Sequence, residues 1–120
     1  MPAPRFIGDL ELALDPADPK SMLVAKEFAF EDSKGVLWSA HIGDVTNGAS
    51  IPRQFKIIIG GSYQTPYLIA AVLHDIYCGN KSRTWQATDS MFLEALRTNG
   101  VSKIKSWSMY LAVYFFGPHW

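Results

Sequence analysis

The chain has 120 residues, 48% of them hydrophobic and 18% charged, enough apolar surface for one folded core, so disorder is not expected away from the ends. Eleven basic residues balance eleven acidic ones, which removes the electrostatic footprint of a nonspecific nucleic-acid binder. No stretch approaches the roughly 18 uninterrupted apolar residues that cross a bilayer, and residues 1–5 lack the apolar run of a secretion signal, so neither a membrane span nor export by that route is expected. The single cysteine, Cys78, cannot form an internal disulfide or supply a Cys-rich zinc ribbon, which fits a reducing compartment such as the cytosol.

Leu10, Leu12 and Leu14 alternate with Asp9, Glu11 and Ala13, the period of two of a strand with one buried face. Asp15-Pro16-Ala17-Asp18-Pro19 then reads as a turn, in which the aspartates can bond to nearby backbone. Residues 22–31 alternate again, with Val24, Phe28 and Phe30 on one side and Lys26 interrupting that face, as at a sheet edge. Asp32-Ser33-Lys34-Gly35 reads as a hairpin loop, after which Val36, Trp38, Ala40 and Ile42 alternate with Leu37, Ser39 and His41. His41 falls on the polar side and reads as a solvated strand residue. Residues 46–63 lose all periodicity and carry Gly48, Pro52, Gly60 and Gly61, as in an ordered loop crossing the core with a short strand or turn at residues 55–59.

The second half has helical spacing. Thr65 and Pro66 suit a helix start, residues 67–76 are apolar almost all the way round, as in a central buried helix, and Gly79-Asn80 reads as its stop. A second helix is expected from about Thr84 to Thr98, with Trp85, Phe92 and Leu96 in phase and Asn99-Gly100 as its end. Ser102 caps a third, whose apolar positions Ile104, Trp107, Leu111 and Tyr114 lead to Phe116 before Gly117-Pro118. Its aromatic end reads as core or as a docking surface for a protein partner.

Within this frame, His74-Asp75 is an anomaly, a charged pair on a helix with no polar face. Asp89 is another, three residues before Phe92 and seven before Leu96, inside the apolar stripe of the second helix. A carboxylate buried without a partner costs several kcal/mol, so something must face each of them. One imidazole and two carboxylates from neighbouring helices are the donor types of a divalent-metal or acid/base site, with His74, Asp75 and Asp89 as candidate catalytic residues and metal ligands. The alternative is a structural network in which the pair pins the loop at residues 46–52 and Arg83 neutralises Asp75 or Asp89. Cys78, four residues after His74, would complete only half of a tetrahedral zinc set, and Ser50 lacks the strained elbow of a nucleophilic serine.

Thr46-Asn47-Gly48-Ala49-Ser50-Ile51-Pro52 followed by Ala70-Ala71-Val72-Leu73-His74-Asp75-Ile76-Tyr77 resembles the phage-encoded family catalogued as domain of unknown function thirteen fifty-three. That family carries a Thr-Asp-x-Ala-Ser-Ile-Pro loop and an Ala-Ala-x-x-His-Asp-x-x-Tyr helix, in which Tyr77 here stands one residue nearer the aspartate; Arg83, Asp89, Phe92 and Ala95-Leu96 resemble its next block, and residues 110–117 its ending. The resemblance implies Ser50, His74, Asp75, Tyr77, Arg83 and Asp89 as the matching polar set, with Asn47, Ser50, Tyr77 and Arg83 as candidate binding residues. Asn47 stands where the family has aspartate, which leaves a metal site there one charge weaker.

The chain thus reads as one α+β domain: an N-terminal three-stranded antiparallel β-meander (residues 1–45), a motif loop (46–63) and three C-terminal helices (64–120) packed on the meander. The family is known from phages and prophages and has no assigned activity, so the expectation is a virion or assembly component, tail-associated, acting as a rigid protein-binding module in the host cytoplasm or the virion. Its partners would be phage structural proteins or a host protein. Two other classes stay open, a small metal-dependent hydrolase using His74, Asp75 and Asp89 with a divalent metal ion, and an accessory protein that binds a host protein. No other cofactor is expected.

Overall fold

The computed structural model describes residues 3–18, 21–46 and 67–120. Asn47, Ser50, the strand or turn expected at residues 55–59 and the Thr65-Pro66 helix start lie outside the described residues.

Each alternating run of the N-terminal half is broken once. The first, which begins earlier than its leucines suggest, gives β1 (Arg5–Ile7) and β2 (Leu12–Leu14); the second gives β3 (Met22–Val24) and β4 (Phe28–Glu31); the third gives β5 (Leu37–Ala40) and β6 (Val45–Thr46). Two three-stranded antiparallel sheets result, ordered β1-β4-β5 and β2-β3-β6. They share one register. Ile7 faces Ala29 and Leu12 faces Val24, five residues further on along each strand, and Phe28 faces Ala40 while Leu23 faces Val45, again five on each. The three-stranded meander is therefore present as a single antiparallel ribbon, bent at its middle into two small sheets.

The outer strands bend where glycines take positive φ, Gly8 at +86° and Gly43 at +92°. Gly8 also has little room for a side chain, since a Cβ there would lie 3.2 Å from the Glu27 carbonyl oxygen. Lys26 lies exposed in the break of the middle strand, and beside it Glu27 meets His41 at 3.6 Å on the surface. The bend also overturns one part of the alternation. Ile42, in phase with the buried Trp38 and Ala40, falls in the turn between β5 and β6 and is 67% exposed.

The hairpin between β4 and β5 is organised by Asp32. Its Oδ1 accepts from the backbone N–H groups of Lys34 and Val36, both at 2.9 Å, and its Oδ2 accepts from Trp38 Nε1 at 3.0 Å. Glu94 Oε1 accepts from Ser33 N–H at 2.9 Å and ties this loop to the helical layer.

Three helices follow, α1 (Leu68–Asn80), α2 (Trp85–Thr98) and α3 (Lys103–Phe116). α1 packs against β5, β6 and α2; α2 packs also against β1, and α3 packs on α2. The core lies between, with Phe28, Phe30 and Trp38 from the ribbon against Leu73, Ile76 and Tyr77 of α1 and Met91, Phe92 and Leu96 of α2. α2 and α3 start as their capping residues specify, with Thr84 Oγ1 accepting from Ala87 N–H and Ser102 Oγ from Lys105 N–H. α1 departs from its expected stop. It continues through Gly79 and Asn80, and Lys81 takes the left-handed position at φ 54°, its N–H donating to the Tyr77 carbonyl. Among the described residues no helix is long and apolar enough to cross a membrane.

Asp32 leads to a prediction about acid stability. Burial pushes its carboxyl upward, but the Trp38 indole and the Val36 and Lys34 amides, helped by the Lys34 charge, outweigh it and hold the group below its ordinary value. A depressed folded value contributes stability above the unfolded value, and that contribution is lost as pH falls through the folded one. Asp32→Ala is expected to cost about 1–3 kcal/mol at neutral pH, because three donors lose their acceptor, and to flatten the loss of stability in acid. Urea melts of both proteins between neutral pH and the acid end of the carboxylate range check it.

Candidate functional site

α1 places its polar residues by helical phase. Ala70, Leu73, His74 and Tyr77 follow the i, i+3, i+4, i+7 spacing and share the buried face, while Asp75, one residue on from His74, turns toward β6 and is half-buried. On α2 the same spacing puts Asp89 among Thr88, Phe92 and Leu96 in the core, at 2% exposure.

The two helices meet at these residues. His74 Nε2 lies 2.7 Å from Asp89 Oδ1, and since a carboxylate can only accept, the ring N–H donates. The side chains are 11% and 3% exposed, and the imidazole packs against the Phe92 ring with centroids 4.8 Å apart. Asp89 Oδ2 is buried without a partner among the described residues. Asp75 does not join them. Its Oδ2 accepts from Thr46 Oγ1 at 3.0 Å, tying α1 to β6. Thr46 is the first residue of the loop expected to lie against the His-Asp pair; Asn47 and Ser50 are outside the described residues. Among the described residues no three His, Cys, Asp or Glu side chains are arranged to hold a metal ion.

Cys78 lies one turn after His74, its Sγ 3.6 Å from Nδ1 and 3.7 Å from Nε2. A thiol aligned on one nitrogen's lone pair would be clearly farther from the other. The near-equal distances place the sulfur across the ring and off the axis of proton transfer. Burial first, then the charges of Asp89 and Asp75, push the thiol from 9.0 up to about 12. It stays protonated at neutral pH, so the Cys-His-Asp grouping lacks the aligned, ionisable thiol of a nucleophilic triad.

Tyr77 and Arg83 have a shared task on the ribbon. Val36 pairs with Asp32 through its carbonyl, and Trp38 and Ala40 stand opposite Phe30 and Phe28, so the alternate residues Leu37 and Ser39 turn their backbone groups away from β4. Tyr77 Oη accepts from Ser39 N–H, and Arg83 Nη2 donates to the Leu37 carbonyl, both at 2.9 Å. Two of the backbone groups on the open edge of β5 are thereby taken up by side chains. Arg83 lies over Trp38, 4.3 Å from the ring centroid, and 5.4 Å from that of Tyr77. It forms no ion pair among the described residues, so the expected neutralisation of Asp75 or Asp89 is not its part: Arg83 follows the left-handed turn at Lys81 and rests on β5, where two rings and a carbonyl stabilise its charge. The Trp120 indole donates to the Arg83 carbonyl at 2.7 Å, and His119 stacks on Trp85 at 3.7 Å between centroids.

The residues missed in the sequence are those that complete the other ties: Ser39, Glu94, Trp38 and Trp120. Asp32, at the head of a hairpin loop, carried a local signal, since aspartate there bonds backbone amides two residues on. The others are partners across long separations and have none.

Asp89→Ala removes one partner of a buried pair and is expected to cost about 3–5 kcal/mol; unchanged thermal melting would place Asp89 in solvent. Cys78 is expected to react with a thiol reagent at neutral pH about a hundredfold or more slower in the native protein than in urea, the rate rising with pH. Equal rates would mean an accessible, ordinary thiol.

No solved structure matches this chain. Two uncharacterized proteins of Sinorhizobium fredii (strain NBRC 101917 / NGR234) are similar to it: y4jT, 42% identical over 120 residues that make up 99% of this chain and 33% of that protein, and y4iH, 36% identical over 115 residues, 96% of this chain and 48% of that protein. The chain thus spans about a third and about half of the length of these relatives. A family model described as "Protein of unknown function (DUF1353)" matches residues 22–113, from β3 to the last turns of α3. With that match over most of its length, the chain belongs to the DUF1353 family.

Proposed function

We propose that the chain is a rigid, non-catalytic protein-binding module, a phage-encoded component of a virion or of its assembly. The observation that carries this reading is the use of the motif's polar side chains: His74 faces Asp89, Asp75 accepts from Thr46, Tyr77 accepts from Ser39 and Arg83 donates to Leu37. Each joins two elements of the fold. A hydrolase needs its acid, base or ligands to reach a substrate, whereas the His74 and Asp89 side chains are 11% and 3% exposed. The docking surface is the outward, aromatic side of α3, which leaves phage structural proteins or a host protein as partners.

The metal-dependent hydrolase keeps one observation in its favour, the unpartnered Asp89 Oδ2, an atom that a cation could satisfy. Thermal melts with and without excess Mg²⁺, Mn²⁺ or Zn²⁺ separate the two. The module reading expects an unchanged melting temperature, while a specific site at a hundredfold excess of metal over its Kd stabilises by about 2.7 kcal/mol. Asn47→Asp sharpens the contrast. In a metal site the added carboxylate enlarges the stabilisation by metal; in a structural network it lowers stability at neutral pH whatever metal is present, with partial recovery as the acid is protonated.

A further inference from the structure

α3 is apolar on two opposite sides. At about 3.6 residues per turn, Ser106, Met109 and Val113 share the face that packs on α2, and Ile104, Trp107, Leu111 and Phe115 line up on the other. Those four are 82%, 45%, 46% and 66% exposed. A helix apolar all round is ordinarily covered on every side. The one hydroxyl on the outward seam, Ser108, donates to the Ile104 carbonyl at 2.8 Å, so it brings no unmet demand into a dry contact. Steps of three and four residues from Ile104 to Phe115 are those of a helix–helix seam.

We infer that this face is where two copies of the chain meet, α3 against α3, antiparallel across a two-fold axis. The inference deepens the binding-module reading and rests on its docking face, and it commits that face to self-association. Charge selects both the occupant and the direction. The only charges on α3 are Lys103 and Lys105, in its first turn, where the helix dipole is positive and opposes them. An antiparallel copy brings the negative, carboxyl end of its own α3 beside these lysines; a parallel copy would gather four lysines at one end. In the antiparallel pair Ile104 meets the other copy's Phe115 and Leu111 meets the Trp107–Ser108 turn, so large side chains face smaller ones along the seam. The four seam residues expose on the order of 500 Å², the greater part of the roughly 800 Å² that each partner contributes to a standard interface. Such a contact is isologous and closes on itself.

Light scattering coupled to size-exclusion chromatography, from micromolar to hundreds of micromolar protein, tests the inference. The wild-type mass is expected to rise from the 13.4 kDa of one chain to twice that value and no further. Leu111→Glu is expected to stay monomeric throughout with its thermal melt not lowered, because the position is outside the core. Orientation is read by cross-linking in a Cys78→Ala background: Ile104→Cys mixed with Phe115→Cys gives a disulfide-linked dimer, and Ile104→Cys alone gives little. A wild type monomeric at every concentration overturns the inference, and so does a dimer that survives Leu111→Glu. A Leu111→Glu melt lowered like that of a core variant would mean the face is covered within one chain. Self-cross-linking of Ile104→Cys overturns the antiparallel arrangement, and a monomer that co-sediments with phosphatidylcholine–phosphatidylglycerol vesicles assigns the face to a lipid surface instead. Mass reads self-association and metal-dependent melting reads the catalytic question, so either reading can fail without the other.

Discussion

A carboxylate taken out of water into an apolar helix interface must be met by a donor, and for Asp89 that donor is the ring of His74. The relative placement of α1 and α2 depends on this contact. Sliding one helix along the other by a turn would strand Asp89 with no partner and set His74 against Phe or Leu, whereas apolar side chains alone would tolerate several packings. A buried polar pair of this kind contributes little net stability compared with well-packed hydrophobic residues, and here its effect is to select one arrangement. Once α1 is placed, Asp75 is aimed at Thr46 of β6 and Tyr77 at Ser39 of β5.

The ribbon needs these contacts as much as the helices do. Strands of two to four residues cannot hold a sheet together by ladder hydrogen bonds alone, and an open edge invites pairing with other chains. The single register through the bend lets one three-stranded meander present two small sheets to the helical layer, and Tyr77 and Arg83 then occupy two of the backbone groups left open on β5. Arg83 does this while lying on Trp38, whose indole N–H is held by Asp32, so the hairpin, the β5 edge and the end of α1 form one connected unit. His74, Asp75 and Tyr77 of the motif helix and the later Arg83 are, in this chain, a set of joints between elements of the fold.

His74, Asp75 and Tyr77 are engaged with other elements, Asp89 Oδ2 has no partner among the described residues, and the thiol beside them is protonated and off-axis. α3, by contrast, packs among the described residues on α2, and its other side carries Ile104, Trp107, Leu111 and Phe115, all exposed. The two Sinorhizobium fredii relatives are two to three times as long as the matched region, so in them the domain is one part of a larger chain.

The sequence by itself determined whatever depends on neighbours along the chain. Alternation marked the three strands and their pairing, Thr84 and Ser102 marked where α2 and α3 begin, and the helical phase between Trp85 and Leu96 showed that Asp89 is buried. It also showed that His74 and Asp89 each need a partner, because burial without one is too costly. Only the tertiary structure decided which partner each received. His74 and Asp89 are fifteen residues apart, Tyr77 and Ser39 thirty-eight, Arg83 and Leu37 forty-six, and no local period records such distances. The same limit explains α3. Ile104, Trp107 and Leu111 have the spacing of a core stripe, but Met109 and Val113 have it too, and a helix apolar on both sides does not say which side its neighbour covers. That choice was made by the position of α2, because burying one face of a helix against a fixed neighbour necessarily turns the opposite face outward.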